Sequence, residues 1–344
     1  MHGDKLPVRP LTSVSTSGRR PPEEPHHAPL PKPRPSRDIP GAPPGPDARP
    51  NPQNPQTGHD VTLIYLDGQW LGKDDAKVSV YDHGLLYGDG VFEGMRVYGG
   101  KTFRLAEHVD RLFDSAQAIN MVVPMPRAEM IAITTEGVKR AGLSEGYLRH
   151  VITRGVGDLG LDPRKCPRPS IIIIFDTIAI WPPERYEQGL TLVTAGTPIN
   201  HREALSPRVK SLNYLNHILA KVEATNAGAD DAIMLDPTGH IAEATGMNLF
   251  VWKHGVLSTP AVHSGLLKGV TRDAIIELAT EAGYRVHETL LNRYDLYTAD
   301  EAFLTGTAAE VAPIRLVDGR IIGAGKIGPV TRDIRARFQE LVKK

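Results

Sequence analysis

The sequence predicts an α+β fold of two units behind a disordered N-terminal tail, and three observations carry that reading. Residues 1–60 hold 16 of the 29 prolines and no Phe, Tyr or Trp. Such a segment cannot bury enough apolar surface to offset the entropy of ordering. Residues 61–180 alternate strand-like and helix-like apolar patterns. A helix pattern near 212–226 is then followed closely by short strand patterns. A length of 344 residues fits two domains of roughly 100–200 residues each. The expected division is a small α+β domain at 61–180, a connection at 181–209 and a larger ligand-binding domain at 210–344.

In the first unit, residues 62–66 read as a strand, and Asp67-Gly68 is a two-residue hairpin signal. Residues 91–98 form a second strand. Leu105, Val109, Leu112, Phe113 and Ala116 recur at spacings of three and four, which predicts an amphipathic helix over 105–119. Another helix is expected over 127–141, with strands at 146–154 and 170–180. In the second unit, Leu215, Ile218, Leu219 and Val222 form the apolar stripe of the 212–226 helix, and Gly228 lies just past its end. Strands are expected at 231–236, 240–244, 247–252 and 256–258, a helix at 271–282, strands at 285–291 and 301–306, and a last helix at 329–342.

Composition removes several classes of function. Forty basic and forty acidic side chains balance to zero, so there is no general pull toward nucleic acid or an anionic membrane. No apolar run approaches the roughly 20 residues of a membrane span. The single cysteine, Cys166, forms no intramolecular disulfide and suits a reducing, cytoplasmic compartment. The histidines are scattered without metal-ligand spacing on a helix face, so no metal site is expected. The glycine-rich stretches at 84–94 and 155–160 match neither Walker nor dinucleotide loops.

Four features point to carbonyl and anion chemistry. Lys210 lies just ahead of an amphipathic helix. The positive helix end and burial both disfavour its charged form, and a neutral amine is what forms a Schiff base. Glu243 sits among small and apolar residues, so its carboxylate is expected in a tight interior. Gly269-Val270-Thr271 opens a helix and Gly306-Thr307-Ala308-Ala309 follows an apolar strand; both can present backbone N–H groups to a phosphate. Taken singly, each has a plainer reading: a loop lysine, a structural ion pair, an N-cap threonine, a tight turn. Together they describe a site for a phosphorylated aldehyde with a basic ring nitrogen, which is pyridoxal 5′-phosphate.

From Ile64 to Leu341 the chain resembles the fold-type IV pyridoxal-phosphate enzymes, which share the D-amino acid aminotransferase-like fold, and among them most closely the branched-chain amino acid aminotransferases. The resemblance rests on Tyr87-Gly88-Asp89-Gly90-Val91-Phe92-Glu93-Gly94-Met95-Arg96, residues 210–224, 243–250, 269–274 and 305–313. It implies that Lys210 is the catalytic Schiff-base lysine and proton carrier, that Glu243 faces the pyridine nitrogen, and that Tyr214 meets the ring hydroxyl. By the same resemblance Arg111, Val270, Thr271 and Thr307 hold the phosphate and Leu267 packs on the ring. Tyr87, Arg96, Tyr147 and Arg149 match substrate-pocket positions, with Arg149 meeting the distal carboxylate of glutamate. Thr307 and Ala308 would hold the α-carboxylate. Leu159 and Leu161 match a loop that crosses to a partner subunit's site, which implies a homodimer or a higher homo-oligomer. At Tyr87 a functional role is expected, and at Phe92 core packing. The implied reaction is transamination of leucine, isoleucine and valine with 2-oxoglutarate, so the small-molecule partners are amino acids and 2-oxo acids. D-amino acid aminotransferases, aminodeoxychorismate lyases and amine transaminases would keep Lys210 and Glu243. His150, beside Arg149, is the residue that leaves the D-specific alternative in view.

Overall fold

The structure is a computed structural model, and it describes residues 62–178 and 181–344. The tail expected over 1–60 lies outside the described residues.

The first sheet is built from local signals. Strands β1 (Leu63–Leu66) and β2 (Gln69–Gly72) form the expected hairpin, with Asp67 and Gly68 both at positive φ, as a two-residue turn of the primed type requires. A short helix α1 (His83–Tyr87) is capped by Asp82, whose carboxylate accepts the Gly84 N–H at 2.7 Å. Then come β3 (Gly90–Tyr98), β4 (Lys101–Thr102), α2 (Leu105–Ala118), α3 (Arg127–Arg140), β5 (Gly146–Thr153) and β6 (Ser170–Asp176). The six strands lie in the order β2-β1-β6-β5-β3-β4. Period-two alternation sorts their side chains. Val91, Met95, Val97, Leu148 and Ile152 join Val109, Leu112 and Ala116 of α2 and Met130 and Val138 of α3 in one core. Phe92, Gly94 and Arg96, with the register-paired Tyr147 and Arg149, take the opposite face.

The second sheet begins earlier than expected. Residues 181–209, read as connection, contain helix α4 (Pro183–Gln188) and strand β7 (Leu190–Thr194), which pairs parallel with a later strand. Then follow α5 (Leu215–Asn226), β8 (Asp231–Leu235), β9 (Ile241–Ala244), β10 (Asn248–Lys253), β11 (Val256–Pro260), α6 (Val270–Glu281), β12 (Arg285–Thr289), α7 (Arg293–Tyr297), β13 (Glu301–Gly306), β14 (Glu310–Val317), β15 (Arg320–Ile321) and α8 (Pro329–Leu341). The main path runs β12-β11-β10-β13-β14-β7-β8-β9, with β15 beside β14. Phe250, Phe303 and Val311 pack under α6 and α8. Leu249, Leu304 and Ala312 of the other face share a core with Leu190, Leu192, Ile233 and Ile241.

Helix α5 corrects the expected stripe. Leu215, Ile218, Leu219 and Val222 are exposed, between 48% and 66%. The buried face carries His217, Ala220 and Ala224 instead. Alanines let the helix lie close on Ala232, Met234 and Ala242, so the bulky residues are left outside.

A test of the first core concerns Gly137 in α3, where a Cβ would collide with the Phe175 ring. Gly137→Val is expected to lower the free energy of unfolding by about 1–3 kcal/mol, read from the midpoint of a urea titration.

Candidate active site

A cavity of about 440 Å³ lies where the cavity-facing side of β3 and β5 meets the segments 210–214, 245–248, 267–271 and 305–309. Lys210 reaches it because its own segment is docked on β3. The Lys210 carbonyl accepts the Phe92 N–H at 2.9 Å, the Leu212 N–H donates to Gly90 O at 2.9 Å, and Ser211 bridges Val91. Lys210 Nζ donates to Tyr214 Oη at 3.3 Å and stands 4.5 Å from the Phe92 ring centre. Burial first, then the Arg111 charge, brings the Lys210 amine down to about 8. The helix end expected to help stands five residues away, since α5 begins at Leu215. Burial and the nearby Glu243 carboxylate push the Tyr214 hydroxyl up, so it stays a proton donor.

Glu243 ends up buried on β9, as expected, but without an arginine. Its Oε2 accepts Asn248 Nδ2 at 3.1 Å and the Leu267 N–H at 3.2 Å. Among the described residues its Oε1 meets His217 Nε2 at 3.7 Å and makes no hydrogen bond, and so keeps an acceptor for a cavity N–H. His217 stacks on Tyr214 at 4.6 Å. At the other end, Arg111 of α2 gives Nε and Nη2 to Glu93 at 2.6 and 2.9 Å and Nη1 to Lys268 O at 2.7 Å. That uses three of its five N–H groups. Val270 and Thr271 open α6 behind Gly269, which has no side chain to cap the helix, so the first helical N–H groups remain available to an anion. Thr307 and Ala308 occupy the β13–β14 loop and line the same cavity, as does Leu267.

The residues implied for the cofactor therefore share one cavity: Arg111, Lys210, Tyr214, Glu243, Leu267, Val270, Thr271 and Thr307. Of those implied for substrate, Tyr147 and Ala308 line it. Tyr147 fits against β3 only because position 94 is glycine; a Cβ there would overlap its hydroxyl. Arg149 lies over the Phe92 ring at 4.6 Å and donates to the Tyr147 hydroxyl at 3.3 Å. Phe92 is buried, and its ring meets both Lys210 and Arg149.

Two residues matched to substrate positions stand elsewhere in this chain. Arg96 does not line the cavity; it stands behind the loop, its Nη1 donating to Ala308 O at 3.4 Å. Tyr87 does not line it either, and its hydroxyl accepts the Gly160 N–H at 2.9 Å. Leu159 and Leu161 are exposed, at 60% and 82%, away from this chain's own cavity. His150 faces the α3 side, 3.2 Å from Thr134 Oγ1, and burial lowers its imidazole to about 3. It offers no cation to a substrate.

The sequence reading missed Asn248, His217, Thr305 and Glu93. Asn248 and Glu93 had a signal, a polar residue inside an apolar strand run. Thr305 Oγ1 and His217 Nδ1 are buried without a partner among the described residues, and both residues line the cavity. An amine, a carboxylate with an open oxygen, a cation and two loops with open N–H groups fit a phosphorylated heteroaromatic aldehyde. Among the described residues no group of His, Cys, Asp or Glu is placed to hold a metal ion. None of the described helices is long and apolar enough to cross a membrane.

Residues 90–317 match the family described as amino-transferase class IV. A Methanocaldococcus jannaschii relative is 49% identical over 278 residues, 81% of this chain and 96% of that one. The branched-chain-amino-acid aminotransferase of Pseudomonas aeruginosa is 42% identical over 285 residues, 81% of this chain and 92% of its own length. Among solved structures, a branched-chain amino acid aminotransferase with pyridoxamine 5′-phosphate superposes with a TM-score of 0.79 at 37% identity, covering 82% of this chain and 94% of that one.

The depressed amine sets a stability test on the ligand-free protein. Below about pH 8 the fold carries Lys210 as a buried cation, and the cost disappears as pH rises toward the ordinary lysine value. Lys210→Met is therefore expected to raise stability at pH 7 by about 3 kcal/mol. That gain should fade between about pH 8 and pH 10, which chemical denaturation at stepped pH would show.

Proposed function

The chain belongs to the amino-transferase class IV family, and from that premise we propose that it transfers the amino group of leucine, isoleucine or valine to 2-oxoglutarate, yielding 2-oxo acids and L-glutamate. The cofactor is pyridoxal 5′-phosphate, which supplies an aldehyde that takes up amines and a ring that accepts electrons released from the substrate Cα. The observation that carries the reading is the placing of a lowered-pKa amine at 210 and an open carboxylate at 243 in one cavity with two N–H-bearing loops.

Lys210 would be the proton carrier: in its neutral form the amine can remove the substrate's α-proton and hold it at Nζ. Glu243, held by Asn248 and the Leu267 N–H, keeps an oxygen for the ring N–H. Tyr214 donates to the ring hydroxyl. Arg111, Val270, Thr271 and Thr307 hold the phosphate, and Leu267 packs against the ring. Thr307 and Ala308 meet the α-carboxylate, with Arg96 steadying their loop from outside through Ala308 O. Arg149 stands behind Tyr147, donating to its hydroxyl, and would pair with the distal carboxylate of glutamate. With L-leucine and 2-oxoglutarate the purified protein is expected to form glutamate, whereas D-alanine gives none. Lys210→Ala should cut turnover by at least about 10²–10⁴-fold.

The exposed α5 residues support a homodimer. Asn213, beside α5, donates to Gly88 O at 2.8 Å, and His83 of α1 meets Asp158 O at 2.9 Å. The segment before α5 and the 158–161 loop thus both adjoin α1, and Leu215, Ile218, Leu219, Leu85, Leu86, Leu159 and Leu161 are all exposed. A second copy would cover this apolar region, and Leu159 and Leu161 would then wall the partner's substrate pocket. Ile218→Glu with Leu219→Glu is expected to convert the species seen by sedimentation velocity from dimer to monomer. A cytoplasmic setting accords with the free Cys166.

A further inference from the structure

We propose that Glu93 is the positioning residue of the phosphate end of the site, acting on the cofactor only through Arg111. The inference rests on the cofactor assignment above and deepens it. Glu93 sits in the middle of β3, on the face turned to α2, and is fully buried. A carboxylate in that place is costly unless every lone pair is used. Its partners come almost entirely from α2. Arg111 spans both oxygens, Oε1 from Nε at 2.6 Å and Oε2 from Nη2 at 2.9 Å. His108, one turn earlier on the same helix, meets Oε2 at 2.8 Å.

This arrangement decides where the guanidinium points. A planar fork bound along one edge to a carboxylate has its plane fixed. The third bond, from Nη1 to Lys268 O at 2.7 Å, ties the same fork to the residue just before Gly269, the N-cap of α6. The two N–H groups that remain must then be presented beside the first turn of α6, where Val270 and Thr271 line the cavity. Without Glu93 the fork would lose its plane. Arg111 would also stand as an uncompensated buried cation beside the Lys210 amine, whose charged form it already disfavours and Glu93 supports.

The test compares two ligands that differ only in the phosphate. Holoenzyme is stripped of cofactor and titrated with pyridoxal phosphate and with pyridoxal, for wild type and Glu93→Gln. The expected result is a rise in the dissociation constant for pyridoxal phosphate of roughly tenfold or more, with that for pyridoxal changed less than about twofold. Should both constants rise together, Glu93 is merely structural and the proposal is wrong; it is equally wrong if neither moves. A further comparison removes the unpaired charge: Glu93→Gln added to Arg111→Gln should not weaken pyridoxal phosphate binding beyond Arg111→Gln alone. An additional loss in that background would overturn the inference, and this pair remains informative if Glu93→Gln alone does not fold. Wild-type protein that bound no pyridoxal phosphate at all would instead remove the cofactor assignment.

Discussion

The pairing of residues 210–212 with the start of β3 is the constraint on which the site depends. Two backbone hydrogen bonds and one antiparallel bridge, Ser211 to Val91, lay a connecting segment along the first sheet. Gly90 permits this approach, because a Cβ there would press on the Leu212 side chain and the Ile152 carbonyl. The Lys210 N–H also donates to Ser115 Oγ of α2 at 3.2 Å. The amine is thereby carried by the first sheet, while the carboxylate it must work with, Glu243, belongs to the second. Neither sheet alone contains the chemistry.

Charge at the seam is arranged so that each buried group has a reason to hold its state. Against the upward push of burial, Arg111 and His108 keep the Glu93 carboxyl well below the usual carboxylate range. Burial lowers His108 despite its contact with Glu93, so it is a neutral partner. Breaking such a buried pair on one side costs about 3–5 kcal/mol, because the other charge is left unpaired. Glu243 is held differently, by a side-chain amide and a backbone N–H. Both donors meet Oε2, which leaves Oε1 as an acceptor toward the cavity. An arginine there would have taken both oxygens.

Much of this was legible in the residues. The Asp67-Gly68 turn, the strands on either side of α2 and α3, and the last helix fell within a few residues of their expected bounds. Elements that depend on long-range pairing did not. Strand β14 carries a proline and follows its neighbour through a three-residue loop, so its pattern does not announce a strand in the path of the second sheet. Strand β7 is five residues long and is recognised only through its parallel partners. On α5 the apolar stripe was seen but its direction was not, since periodicity identifies a face and cannot say what meets it. Tyr87, Arg96, Arg149, Leu159 and Leu161 match substrate positions by resemblance, and within this chain none of them lines the cavity.

By itself the sequence determined the chemistry: a lysine, a carboxylate and two N–H-rich loops, because reactive groups and turn glycines are properties of residue type and local order. It also determined which side chains share a strand face, since alternation in β3 and β5 follows from the pleat alone. Only the tertiary structure decided that Lys210 is pressed to about 8 by burial and by Arg111, that Glu93 binds that arginine through both oxygens, and that Arg96 meets the Ala308 carbonyl from behind the loop. Those facts concern distances between residues far apart in the chain. No local pattern encodes them, because they arise only when the two sheets close on each other and exclude water from the groups between them.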